Sequence, residues 1–310
     1  MKKRKIILGF LLIVLFTIFE IKGIDLSKIT LDINSEKTNQ NTTEPTIDEI
    51  EITEFKDSDL KVYYIDVGQA DCVLIQNNNE NMLIDAGNNE DGEKLVKYFK
   101  ELGITSFKYV VGTHPHEDHI GGLDDVINSF DIDTILLPDA YTTTTTFMDV
   151  LDAIDNKNMT FTVPKENDKY QLGEANIDIL YSGVDVEDLN DASIVIKLTY
   201  GSNKFLFSGD ATTKVEKQIL NKDLKVDVYK VAHHGSNTSN SAKFLEKLNP
   251  KYGIISCGKD NSYNHPHDEI VNRLEKRNIE IYRTDKLGTI LVTSDGVNIN
   301  ISSFKTDTNG

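Results

Sequence analysis

The stretch VVGTHPHEDHIGG, residues 110–122, constrains this chain more than any other. The sequence has seven histidines, and three of them, His114, His116 and His119, fall here within six positions, with Asp118 between the last two. They begin where a β-branched apolar run, FKYVV, stops. The other four form two pairs: His233 and His234 after VDVYKVA, and His265 and His267 in NHPHDEI. Each group follows an apolar β run or lies in a loop beside a helix, where catalytic loops gather at a cleft. Histidines confined to such places, with Asp118 and Asp210 near them, point to one converging site.

The pattern around them predicts how strands and helices alternate. LKVYYIDV, DCVLIQ and NMLIDAG are short β-rich runs split by Gly, Asn and Asp. GEKLVKYFKELG has apolar residues at helical spacing and a terminal glycine. The strand FKYVVGTH, the helix GGLDDVINSF and the strand DTILLP follow, and YTTTTTF reads as a loop feeding the helix MDVLDAIDNK. The second half repeats this grammar, with strands NIDILYS, SIVIKLTY and KFLFSGD, the helix TKVEKQIL and the strand VDVYKVAHH. Then come the helix SAKFLEKL, the strand YGIISCG, the helix DEIVNRLEKR and the strands EIYRTD and TILVTS before GVNINI. Strands outnumber helices, and helices arrive singly in both halves. The class is α/β, with two sheets and helices on their outer faces. A doubly wound parallel sheet fits less well, because several strands follow one another through tight turns.

The start MKKRKIILGFLLIVLFTIFEIKG sets a basic cluster before an apolar run over residues 6–19. Residues 1–24 therefore read as a signal peptide or an amino-terminal membrane anchor. The basic cluster predicts that the rest lies outside the cell, secreted or anchored. Residues 25–57 read as a polar, disordered linker, 58–303 as one catalytic domain and 304–310 as a tail. The formal charge of −17 argues against a generic nucleic-acid binder with a basic stripe. It leaves open an enzyme that handles phosphates locally, where a bound ion dominates the field. Cys72 and Cys257 sit in apolar runs and read as buried free thiols, with no disulfide framework and no metal-ligand spacing.

HPHEDH has the spacing of a metal loop. Alternate residues of an extended segment point the same way, so His114 and His116 can converge on one ion. Asp118 and His119 follow the bend and can face a second. Imidazole with carboxylate suits Zn²⁺, Mn²⁺ or Fe rather than Ca²⁺. Asp210, at the end of FLFSGD, supplies a carboxylate that two ions can share.

THPHEDHIGG, LFSGDA and KVAHHGS, in this order, resemble the metallo-β-lactamase fold superfamily. Within it, YYIDVGQADCVLI, LIDAGN, NDASIVIKL and NHPHDEI resemble the extracellular hydrolase domain of the ComEC family of DNA-uptake proteins. The resemblance runs from about Leu60 to Ile301 and implies a four-layer αββα sandwich. It puts His114, His116 and Asp210 on a first divalent ion, and Asp118, His119, Asp210 and one of His233 and His234 on a second. Strand alternation does not decide between those two; His234 is favoured, with His233 turned to substrate. The additional histidine of many members is missing, and Asp191 in NDAS is the candidate for that slot. Asp85 resembles a buried acid that braces the ligand loop. Asp66 and Gln69 resemble residues that shape a turn, and Ala70 stands where the family usually has glycine. His265 resembles a substrate-side histidine, and Ser236 and Asn237 are candidates for binding the same oxygens.

The function this implies is an exported hydrolase that uses two divalent ions, Zn or Mn, to activate water against a phosphodiester, with Asp118, His233 and His265 as catalytic groups. The substrate would be DNA or, since the chain shows at most one span, a cell-wall polymer. The membrane is met only through the amino-terminal segment, and no protein partner is indicated. The alternatives are a metal-dependent esterase, lactonase or β-lactamase, and a non-catalytic membrane-anchored binding module.

Overall fold

The computed structural model describes residues 59–305. The leader or anchor expected over 1–24 and the linker expected over 25–57 lie outside the described residues.

β1 (Leu60–Tyr64), β2 (Cys72–Asn77) and β3 (Glu80–Ala86) form an antiparallel meander. α1 (Gly92–Glu101) leads to β4 (Ser106–Val111), which lies parallel to β3. α2 (Glu117–Ile120) and α3 (Leu123–Ser129) precede β5 (Asp131–Leu136), and α4 (Thr145–Asn156) precedes β6 (Phe161–Thr162), both again parallel additions. The second sheet begins with β7 (Lys169–Leu172), β8 (Ala175–Tyr181), β9 (Val195–Tyr200) and β10 (Asn203–Phe207), all antiparallel. After α5 (Thr213–Ile219) it continues with β11 (Val228–Lys230), then α6 (Ala242–Leu248), β12 (Tyr252–Ile255), α7 (Asp268–Glu275) and β13 (Glu280–Arg283), all parallel. α8 (Thr284–Leu287) returns the chain to β14 (Thr289–Ser294) beside β1, and β15 (Ile299–Phe304) forms the edge. The first sheet runs β15-β14-β1-β2-β3-β4-β5-β6 and the second β13-β12-β11-β10-β9-β8-β7.

Strand alternation explains the layering. Val62, Tyr64, Val73, Ile75, Met82 and Ile84 point from the first sheet into a core shared with Ile196, Leu198, Phe205 and Phe207 of the second. Their neighbours Tyr63, Leu74 and Leu83 point the other way, onto Leu95 and Phe99 of α1 and Val126 and Ile127 of α3. Val195, Leu206 and Tyr229 do the same on the far side, under Val215, Phe244, Leu245 and Leu274. Both faces of each central strand are buried, which is why these runs read as continuously apolar rather than alternating. The result is helix, sheet, sheet, helix, as expected.

Three local details differ from the sequence reading. α4 begins at Thr145 rather than Met148, because Thr144 Oγ1 accepts the Phe147 N–H and caps the helix. The short strands β6 and β7 were not foreseen; two and four residues carry too little period to be seen. β15 runs to Phe304, so the first residue of the expected tail completes a strand. No helix among the described residues is long and apolar enough to cross a membrane.

Segments that follow β3, β4, β10, β11 and β12 all reach one cleft of about 780 Å³ at the end of the sandwich. Each lies at the carboxyl end of a strand in the parallel part of its sheet, where α/β folds place their ligands.

Candidate metal centre

The HPHEDH loop is gripped from below by Asp85. This fully buried acid closes β3 with φ +60°. Its Oδ1 accepts the Thr113 N–H at 2.7 Å, and its Oδ2 accepts the Thr113 hydroxyl at 2.8 Å. The same Oδ2 lies 2.8 Å from His119 Nδ1, so both ends of the loop meet one carboxylate. The glycine pair has a steric reason. A Cβ on Gly121 would lie 2.2 Å from the Asn88 carbonyl carbon, while the Gly121 N–H donates to the Gly87 carbonyl at 2.9 Å.

The second sheet supplies the opposite wall. The Asp210 N–H donates to Ser193 Oγ at 3.1 Å, which fixes the turn after β10. His233 and His234 follow β11 in a tight turn with φ +52° at both. Consecutive non-glycine residues in the left-handed region cost on the order of 1–3 kcal/mol each, and such strain clusters at functional sites. The turn is held by the His233 N–H on the Gly209 carbonyl at 3.1 Å.

The ring nitrogens divide by their partners. His234 Nδ1 lies 3.0 Å from the Ser256 carbonyl, an obligate acceptor, so Nδ1 carries the proton and Nε2 is left bare. His119 Nδ1 donates to Asp85 in the same way, leaving its Nε2. That Nε2 faces Asp210 Oδ1 at 3.3 Å, and His234 Nε2 faces Asp118 Oδ2 at 3.3 Å. His233 Nε2 stands 3.3 Å from Asp210 Oδ2, and His114 Nε2 stands 2.9 Å from His116 Nδ1. His119 Nε2, His234 Nε2 and Asp210 Oδ1 are buried and make no hydrogen bond. Buried polar atoms are almost always satisfied, so three aimed at one place indicate a cation site. Among the described residues three sets of donors are close enough to hold an ion: His114, His119 and Asp210; Asp118, His119 and His234; and Asp71, Asp85 and His119, the last gathered on the His119 Nδ1 that already donates to Asp85.

The electrostatics agree. Burial disfavours charge on His119 and His234, but the carboxylates around them raise both pKa values: Asp210 and Asp85 beside His119, Asp71 and Asp210 beside His234. Burial likewise opposes charge on Asp118 and Asp210, yet the neighbouring imidazoles hold both carboxyls below the usual range. Positive charge placed among these carboxylates is held strongly, whether it is a proton or a metal ion. Burial pushes the His114 ring down, and Asp85 up.

Of the residues expected here, His114, His116, Asp118, His119, Asp210, His233, His234 and His265 converge, with Asp85 beneath them. His116 and Asp191 are in none of the donor sets, although His116 Nδ1 lies 2.9 Å from His114 Nε2. The Asp191 carboxylate accepts from Thr212 Oγ1 and pairs with Lys214 Nζ at 3.1 Å, while its neighbour Asn190 lines the cleft. Ser236 is buried, its Oγ accepting from the Thr238 N–H at 3.4 Å and hydroxyl at 3.1 Å, so it does not line the cleft. Asn237 uses its backbone N–H on His267 Nδ1 at 3.0 Å. Asp66 accepts the Gly68 N–H at 3.3 Å and shapes the expected turn.

A buried pair, Asp71 and Lys230, was missed. Asp71 Oδ2 pairs with Lys230 Nζ, and its Oδ1 lies 3.4 Å from His234 Nδ1. Its N–H donates to the Asp118 carbonyl and its own carbonyl accepts from Gly87. A charged residue inside each apolar run, DCVLI and VYKVA, was the available signal. Tyr263, Lys94 and Glu90 on the cleft rim had none.

Comparison with known proteins agrees with this geometry. The family model described as the metallo-beta-lactamase superfamily matches residues 65–259. ComE operon protein 3 of Bacillus subtilis is 28% identical over 254 residues, covering 75% of this chain and 33% of that protein. Competence protein ComA of Neisseria gonorrhoeae is 28% identical over 231 residues, covering 73% and 31%. The chain thus spans about a third of the length of these curated relatives. The crystal structure of the metallo-beta-lactamase fold protein YhfI from Bacillus subtilis superposes with a TM-score of 0.51 at 12% identity, over 76% of this chain and 100% of that one. This likeness is one of fold.

Proposed function

The chain belongs to the metallo-beta-lactamase superfamily of metal-dependent hydrolases, and from that premise we propose that it cleaves phosphodiester bonds with two divalent ions, Zn or Mn, as an exported or membrane-anchored enzyme. The observation that carries this reading is the convergence of unpaired buried donors, His119 Nε2, His234 Nε2 and Asp210 Oδ1, at the floor of an open cleft. His114, His116 and Asp210 would hold one ion, and Asp118, His119 and His234 the other, with Asp210 between them. His234, unlike His233, lies within one donor set with Asp118 and His119, which supports its choice, and His233 is left for substrate. When bound, such ions lower the pKa of water towards neutrality and polarise the oxygen under attack.

The chain's own residues do the rest. Asp85 and the Ser256 carbonyl keep the donor nitrogens aimed inward. Asp118, partly open to the cleft, is placed to orient an attacking water. His233 and His265 face the oxygens that gain charge as the ester breaks. The rim is acidic, with Glu90, Asp91 and Glu117 against Lys94, which supports a small or locally bound substrate over a long polyanion.

The test is turnover of bis(p-nitrophenyl) phosphate and of nitrocefin by the full chain with Mn²⁺ or Zn²⁺, beside an Asp210→Ala variant. Phosphodiester turnover lost in the variant is expected. Equal rates in both proteins overturn the reading, and nitrocefin turnover alone moves the substrate class to β-lactams.

A further inference from the structure

His119 and His234 donate through Nδ1, but His265, on the cleft wall, does the reverse. The contact that decides this is Gln69, whose amide oxygen accepts the Gly258 N–H at 3.1 Å. A backbone N–H can only donate, so that atom of the amide must be the oxygen, whichever way a glutamine is drawn. The other atom is therefore the NH2 group, and it lies 3.4 Å from His265 Nδ1. An NH2 group also only donates, so Nδ1 must be bare, and both the Nδ1–H tautomer and the imidazolium are disfavoured.

We infer that Gln69 is a positioning residue that locks His265 as the neutral Nε2–H tautomer, presenting a fixed hydrogen-bond donor to the cleft. The surroundings leave the ring little freedom. Asn261 clamps its backbone on both sides, accepting the His265 N–H at 3.0 Å and donating to its carbonyl at 2.6 Å. The ring lies between Tyr263, with centroids 5.6 Å apart and planes 21° apart, and His234 at 6.2 Å and 22°. The Gln69 contact needs a close approach of two loops: a Cβ on Gly258 would stand 2.7 Å from the Gln69 backbone nitrogen. A donor so held cannot serve as a base. Where the reaction is phosphodiester cleavage, it donates to the phosphoryl or departing oxygen that becomes negative, a role that rests on the function proposed above.

The protonation pattern can be read directly. The full chain, zinc-loaded and labelled with ¹⁵N-histidine, gives long-range ¹H–¹⁵N correlations that separate protonated from bare ring nitrogens. His265 is assigned by its loss in His265→Gln or, if that variant does not fold, through contacts to the Tyr263 ring. The wild-type chain should show Nε2 protonated and Nδ1 bare. Gln69→Glu keeps an oxygen for Gly258 but turns an acceptor to the ring, so Nδ1 should become protonated while zinc content is unchanged. With an alkoxide leaving group, kcat in that variant should fall about 10²-fold, with KM little moved. A protonated Nδ1 in the wild-type chain, or a pattern unmoved by Gln69→Glu, overturns the inference. The expected pattern in a chain with no phosphodiester turnover upholds the lock and removes only the proposed reaction.

Discussion

Replacing Asp85 by asparagine isolates the brace beneath the donor loop. Asparagine is nearly the same size and tolerates φ +60°, so backbone strain does not enter. The carboxylate accepts three hydrogen bonds: from the Thr113 N–H, the Thr113 hydroxyl and His119 Nδ1. The amide has one oxygen. If it stays on the Thr113 N–H, an NH2 group confronts His119 Nδ1–H. The ring must then move its proton to Nε2, the nitrogen aimed at Asp210. If the amide turns over, the NH2 group confronts the Thr113 N–H and leaves a buried donor unpaired. Either way at least one bond to a charged group is lost, at roughly 1.5–3 kcal/mol. Losing such a support costs about 10–100-fold in metal affinity. Chelator competition against zinc and urea unfolding of the metal-free chain measure the two effects separately. Wild-type zinc affinity in the Asp85→Asn chain would refute the idea that this carboxylate orients His119.

Three further outcomes follow from the same geometry. Lys230→Met should destabilise the chain by about 3–5 kcal/mol, because it strands the buried Asp71 carboxylate, and Asp71→Asn in the same chain should restore much of that; additive losses in urea unfolding would contradict the pairing. The carboxylates around His119 and His234 raise both pKa values, so protons compete with an ion for these rings as pH falls. Zinc uptake should therefore release protons, more of them at lower pH, and loading should weaken as pH falls, as seen by calorimetry in buffers of different ionisation heat; uptake independent of buffer and pH would contradict this. The thiols should resist alkylation until the chain unfolds, since burial, helped by Asp285, pushes Cys257 up to about 12 and burial raises Cys72 well above its usual value; rapid labelling of the native chain would show that one is open.

Much of the layering was legible because strands buried on both faces leave unbroken apolar runs, and because helices with one apolar stripe fall between them. The metal loop was legible because histidine is scarce here and its spacing is chemical. What stayed hidden depends on partners far apart in the chain. Asp191 sits beside a cleft residue, but Thr212 and Lys214 turn its carboxylate aside, and neither is near it in sequence. Strand alternation could not tell His233 from His234; only their distances to Asp118 and His119, far away in sequence, separate them, since His234 joins those two in a donor set and His233 does not. Gln69 gave no sign of a tautomer role, because its meaning lies in Gly258 and His265.

The most direct measurement is anomalous diffraction at the metal edge from crystals of the full chain grown with zinc or manganese. Two peaks among His114, His116, Asp118, His119, Asp210 and His234 are expected. No peak among those side chains at ample metal concentration would mean that the converging imidazoles and carboxylates do not form a dinuclear centre.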